Sequence, residues 1–143
     1  MHEIRRSALL PYSAVAVYQL INDIEAYPNY MEGCVGAEVL DHQGDVVEAR
    51  LDLSKAGIQL SFVTRNELIA GERVALSLVD GPFETLQGEW HVKALSDEAC
   101  KVSLELRFAL RSRLVGAATR TLFNSVANNL VDAVSTRAKD LYG

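Results

Sequence analysis

The chain has 143 residues, of which 49% are hydrophobic and 23% charged. That is enough for one hydrophobic core and too little for two of useful size, so residues 1–143 read as one domain, and disordered or fibrous classes are excluded. A formal charge of −5 excludes the strongly basic surface that binds nucleic acid without sequence preference, and DNA is not an expected partner.

Glu3 to Leu10 reads as a first strand, ended by Pro11, whose ring fixes φ and disfavours helix in the residue before it. Ser13 then stands where an N-cap belongs. Val17, Leu20, Ile21 and Ile24 recur at helical spacing, which predicts a helix over 14–24 that stops before Tyr27-Pro28. The stretch from Tyr27 to Gly33 mixes aromatic and turn-forming residues and reads as an ordered loop packed on the body.

A run of strands follows. Val35 to Asp41 is one, closed by a turn over His42 to Asp45. Val46 to Leu53 is the next, with Val47, Ala49, Leu51 and Leu53 alternating against Glu48, Arg50 and Asp52. Ser54-Lys55-Ala56-Gly57 turns the chain into a strand over 58–69, where Ile58, Leu60 and Phe62 share a face. Arg73 to Val79 gives another strand. After Asp80-Gly81-Pro82-Phe83 comes a long one with Leu86, Gly88, Trp90 and Val92 on its apolar side. Cys100, Val102, Leu104, Leu106, Phe108 and Leu110 alternate with polar residues in the last. Short connections among these strands predict an antiparallel meander.

From Arg113 to Leu141 the period becomes helical, with Leu122, Val126, Leu130, Val134 and Ala138 in steps of four, and Phe123, Ala133 and Leu141 beside them. Such a stripe needs a large apolar partner, and the sheet's inner face is the one available. The order of strand, helix, six strands and long helix therefore predicts an α+β fold, a curved seven-stranded antiparallel sheet wrapped around the C-terminal helix. One helix does not fill the concave side, so an apolar cavity is expected.

Patterns that carry chemistry are missing. There is no nucleophile elbow, glycine-rich phosphate loop, dinucleotide fingerprint or H-E-x-x-H run, and His2, His42 and His91 do not converge. Neither a catalytic residue nor a metal site is expected, and the chain reads as a non-enzymatic binding protein. Cys34 and Cys100 suit buried, reduced thiols rather than a disulfide framework. With no signal-peptide core at the N-terminus and no apolar run long enough to span a bilayer, the expected location is the cytoplasm, with peripheral contact at the inner membrane as an alternative.

Three features keep two readings each. Thr64 and Asn66 lie on an otherwise inward face, either as a strand end near solvent, the reading preferred from sequence, or as partners for a ligand's polar head. Arg107, Arg111, Arg113 and Arg120 form either a solvated face or a docking surface for RNA or anionic lipid. The inward aromatic residues are either plain core or pocket wall.

Tyr27-Pro28 with Gly33-Cys34, Ser54-Lys55-Ala56-Gly57, Gly81-Pro82-Phe83 with Leu86, Gly88 and Trp90, and the helix with Phe123, Arg137 and Ala138 together resemble one family. It is the START-like coenzyme Q-binding and RatA (ribosome-association toxin) group of the polyketide cyclase/dehydrase superfamily, and the resemblance spans essentially the whole chain. It implies a helix-grip fold and two functions of different class. One is binding of ubiquinone or a related isoprenoid lipid, as a chaperone or carrier supporting respiration. The other is binding of the large ribosomal subunit, which blocks subunit association. A cavity wall of Phe62, Leu76, Leu78, Phe83, Trp90, Phe108, Leu122, Val126 and Leu130 is expected from the inward strand positions and the helix stripe. The expected occupant is a quinone or lipid, held as ligand rather than as cofactor.

Overall fold

A computed structural model of the chain describes residues 2–111 and 115–143. In chain order the elements are β1 (His2–Leu10), α1 (Ala14–Asn22), a 3₁₀ helix (Ile24–Asn29), β2 (Cys34–Gln43), β3 (Val46–Lys55), β4 (Ile58–Ile69), β5 (Arg73–Asp80), β6 (Phe83–Ser96), β7 (Ala99–Leu110) and α2 (Ala117–Tyr142). The seven strands form one antiparallel sheet in the order β1-β7-β6-β5-β4-β3-β2. β2 to β7 run as a meander, and β1 closes the far side on β7 with Ile4 opposite Leu106.

Curvature has visible causes. Register shifts interrupt β2/β3, β4/β5 and β6/β7, and each extra residue bends its strand and sharpens the twist. At Gly88 the backbones come so close that a Cβ would lie 2.6 Å from Leu106 Cδ1 and 2.7 Å from the Glu105 carbonyl oxygen. Only a residue without a side chain lets β6 fold this tightly over β7. The concave face then closes on α2, and the core lies between them.

The start of α1 follows the sequence reading, since the Ser13 hydroxyl accepts from the Ala16 N–H at 3.2 Å. Its end does not. The helix stops at Asn22, with the Asp23 N–H bonded to the Gln19 carbonyl, and Ile24 belongs to the 3₁₀ helix that includes Pro28. Of the segment expected as a loop, Tyr27 to Asn29 belong to this tighter helix, and residues 30–33 form the turn that follows it. His42, expected in a turn, is the penultimate residue of β2.

The long helix begins at Ala117, capped by Gly116, rather than at Arg113, which lies outside the described residues. Its buried residues are Leu122, Phe123, Ala127, Val131, Val134 and Ala138. Of the residues in steps of four, Leu122, Val134 and Ala138 are buried, Val126 and Leu130 are half-buried, and Leu141, in the helix's last turn, is exposed.

Candidate functional site: an apolar cavity under the long helix

Between the concave sheet and α2 lies a cavity of about 80 Å3. Its wall comes from α1 and the 3₁₀ helix (Ile21, Ile24, Tyr27), the following turn (Met31), strands β2 to β7, and Phe123, Val126, Ala127 and Leu130 of α2. Of the nine residues expected to line it, Phe62, Leu76, Trp90, Val126 and Leu130 do so. Phe83 and Phe108 sit fully buried behind the wall. There the Phe123 ring meets Phe108, Phe83 and Phe62 edge-on, with centroids 4.7, 5.0 and 5.8 Å away. These four rings close one end as a rigid plug. Leu122 faces the Gly33 turn, and Leu78 stands opposite Thr64 at the half-buried end of β5.

The α1 and 3₁₀ contributions were not found in the sequence, because alternation marks sheet faces and says nothing about which short helix covers them. Ile21, Ile24 and Tyr27 are buried, as periodicity suggested for the first two, but only the fold directs them at the cavity. Ala49, Leu51 and Leu53 carried the signal as β3's inward residues.

Thr64 and Asn66 overturn the reading preferred for them. They are 6% and 5% exposed, so they lie deep in β4 rather than near solvent, and both line the cavity. The Thr64 hydroxyl donates to Asn66 Oδ1 at 2.9 Å.

Among the described residues the only titratable groups on the wall are Tyr27 and Cys34. Burial pushes the Tyr27 phenol up, and its O–H donates to the Ile21 carbonyl. Burial likewise raises the Cys34 thiol, against a contact with the Gly36 carbonyl at 3.5 Å. Both are neutral at physiological pH, so the wall carries no charge. Outside it, Tyr30 braces the rim: its O–H reaches the Leu20 carbonyl at 3.5 Å, and the Arg137 guanidinium lies 5.2 Å from its ring centroid.

The histidines stay apart. His2 stacks on Phe108, His42 is in β2, and His91 is on the outer face beside Glu89. Among the described residues no cluster suited to a metal is found, and no helix is long and apolar enough to cross a membrane. Of the four arginines, Arg107 is on the outer face of β7 with Glu3 3.9 Å away, Arg111 is exposed at the strand's end, and Arg120 is half-buried in the first turn of α2. Arg113 lies outside the described residues.

Residues 10–135 match the family model described as polyketide cyclase / dehydrase and lipid transport. The chain belongs to this family. One member, "Ribosome association toxin RatA" of Escherichia coli (strain K12), is 42% identical over 142 residues, covering 99% of this chain and 90% of that protein. A more distant member, "Coenzyme Q-binding protein coq10, mitochondrial" of Schizosaccharomyces pombe, is 25% identical over 94% of this chain and 85% of its own length. A START superfamily protein from Mycobacterium smegmatis superposes with a TM-score of 0.81 at 19% identity, covering 99% of both chains, which shows the helix-grip fold. Family membership leaves two activities open, cyclase chemistry and lipid transport, since its description names both.

Proposed function

We propose that this protein is a non-enzymatic, RatA-like ribosome-association factor whose cavity holds an uncharged apolar molecule, such as an isoprenoid quinone or another lipid. The ribosome reading is supported by full-length identity of 42–43% to proteins of that name. The ligand reading is supported by the uncharged, mostly apolar cavity, and by the weaker likeness to a coenzyme Q-binding protein. Against catalysis stands the wall itself: its phenol and thiol are both driven toward the neutral form and already hydrogen-bonded, leaving no group poised for acid–base work. Both roles suit the cytoplasm, with any membrane contact peripheral.

Ribosome association predicts salt-sensitive co-sedimentation with the large subunit. Arg111→Glu/Arg120→Glu should weaken it, because these cations stand on either side of the β7–α2 connection and Arg107 already has Glu3 beside it. Retention unchanged by the double substitution refutes that surface, and no retention at any salt refutes the reading. Ligand binding is tested by extracting protein purified from a respiring host with organic solvent and analysing the extract by mass spectrometry. Absence of any stoichiometric quinone or lipid counts against it.

A further inference from the structure

We propose that Thr64 and Asn66 form the head-group site of the cavity, with the Asn66 amide donating to a carbonyl oxygen on an otherwise apolar, uncharged ligand. The proposal rests on the reading of the cavity as a ligand site and adds where the polar end of the ligand lies. Two residues apart on β4, both side chains project from its inner face, after Leu60 and Phe62. Across the sheet, Asn66 is flanked by Val47 and Leu76, and Thr64 by Ala49 and Leu78. None of these side chains offers a hydrogen bond.

Tyrosine, tryptophan and cysteine apart, this pair is the whole set of buried polar side chains among the described residues. Asparagine is disfavoured in strands, and burying an amide costs about 1–3 kcal/mol unless it is fully hydrogen-bonded. Stability alone would place valine and leucine here. The pair also satisfies itself only in part. Thr64 has one hydroxyl proton, and it goes to Asn66 Oδ1. The Asn66 amide nitrogen, with two protons, makes no hydrogen bond among the described residues, and the residue lines the cavity.

Two further features favour a carbonyl. The register between β4 and β5 shifts between Val63 and Thr64, and such a bulge re-aims the side chains beside it. Of the other polar side chains on the wall, Tyr27 is committed to the Ile21 carbonyl and Cys34 to the Gly36 carbonyl, while Trp90 offers only an indole N–H, a second donor that suits a carbonyl. With no charged group in the wall, a carboxylate or an ammonium would enter without a counter-ion, at a desolvation cost that a neutral carbonyl avoids.

Valerophenone and pentylbenzene test this, because they differ by one carbonyl in place of a methylene. Binding of each to the full chain is measured by titration calorimetry, for wild type, Asn66→Leu and Thr64→Val/Asn66→Leu, with folding checked by circular dichroism. The ratio of the two Kd values should move against valerophenone by about five- to tenfold in both variants, the equivalent of one lost hydrogen bond. The infrared carbonyl band of bound valerophenone should lie at lower frequency in wild type and revert in the variants. An unchanged ratio and band, with both compounds still bound, overturn the head-group site and leave the cavity reading standing. Uptake of neither compound by wild type withdraws the cavity reading, and this proposal with it.

Discussion

Gly33 tests the packing of the cavity rim with a result that separates two causes. It sits at φ +87°, and a Cβ there would lie 2.7 Å from Val126 Cγ2 and 3.7 Å from Leu122 Cδ1. Gly33→Ala therefore meets a backbone penalty of about 1–2 kcal/mol, because the left-handed region disfavours an L side chain. It also meets an overpacking penalty of about 1–3 kcal/mol, because the Val126 contact is about 1 Å inside ordinary carbon–carbon separation. Val126→Ala removes Cγ2 and alone should cost about 1 kcal/mol, since Val126 is only half-buried. In that background Gly33→Ala should retain the backbone penalty and lose the other. The double-variant cycle should then show a coupling of about 1–3 kcal/mol. Urea denaturation followed by far-ultraviolet circular dichroism measures all four corners. If Gly33→Ala costs the same in both backgrounds, the turn after the 3₁₀ helix is not seated on α2, and the cavity rim is wrongly drawn.

Phe123→Ala should lose about 3–5 kcal/mol, seen as a lower thermal midpoint, because the ring is buried against three others; a loss below about 1 kcal/mol would mean that the aromatic plug is not packed. Thr64→Val should destabilise more than Thr64→Val/Asn66→Leu, because the single change strands Asn66 Oδ1 without its donor while the double change removes both partners. Asp52 accepts from Ser61 at 2.6 Å and Arg50 at 2.9 Å, and these bonds, Ser61 foremost, hold its pKa below the ordinary 3.8 despite an opposing effect of burial. A depressed folded pKa gives stability that is present above the unfolded value and lost as pH falls through the folded one, so Asp52→Asn should flatten the loss of stability below about pH 4; an identical acid limb in both proteins would refute this. Burial raises both thiols, so iodoacetamide should react slowly at Cys34 and Cys100, and saturating valerophenone should slow only Cys34, the one on the cavity wall; protection of Cys100 as well would contradict that placement.

Where one face is buried and the other wet, the sequence already reads as structure. Val47, Ala49 and Leu53 against Glu48 and Arg50, and Cys100 to Phe108 against Lys101 to Arg107, fall on the expected faces, since a slip by one residue would expose a whole core row. The long helix was legible in kind and in most of its phase. Steps of four picked out Leu122, Val134 and Ala138, which are buried, and Val126 and Leu130, which border the cavity, but passed over Ala127 and Val131, which are buried. Tyr27-Pro28 concealed a 3₁₀ helix, because proline signals an interruption of the α-helix without specifying what replaces it. Thr64 and Asn66 were misread for a stronger reason. A residue-by-residue reading sends polar side chains to water, and sites made for binding are where that rule is broken.

The cavity's size bears on what occupancy demands. At about 80 Å3 it is well below the roughly 300–1,000 Å3 of pockets that enclose drug-sized ligands, so a quinone head and tail require the wall to open. The plug of Phe62, Phe83, Phe108 and Phe123 is interlocked and poorly suited to yield. Half-buried wall residues remain on β3, β5 and α2, at Leu51, Leu76, Val126 and Leu130. Of these elements α2 is held by side chains, the Arg6 guanidinium donating to Asn128 Oδ1 at 3.0 Å among them, and not by the sheet's backbone ladder, so a shift of α2 would open the wall without breaking strand pairing. The same helix carries Arg120 in its first turn. The two proposed roles therefore share an element, and the choice of variant decides what an experiment means. A charge at Val126 disturbs the helix seat and with it both roles. Arg111→Glu/Arg120→Glu alters the surface without touching the wall, and Thr64→Val/Asn66→Leu alters the wall without touching the surface. Loss of ribosome retention in the first pair alone, and loss of carbonyl discrimination in the second alone, is the pattern that separate roles require.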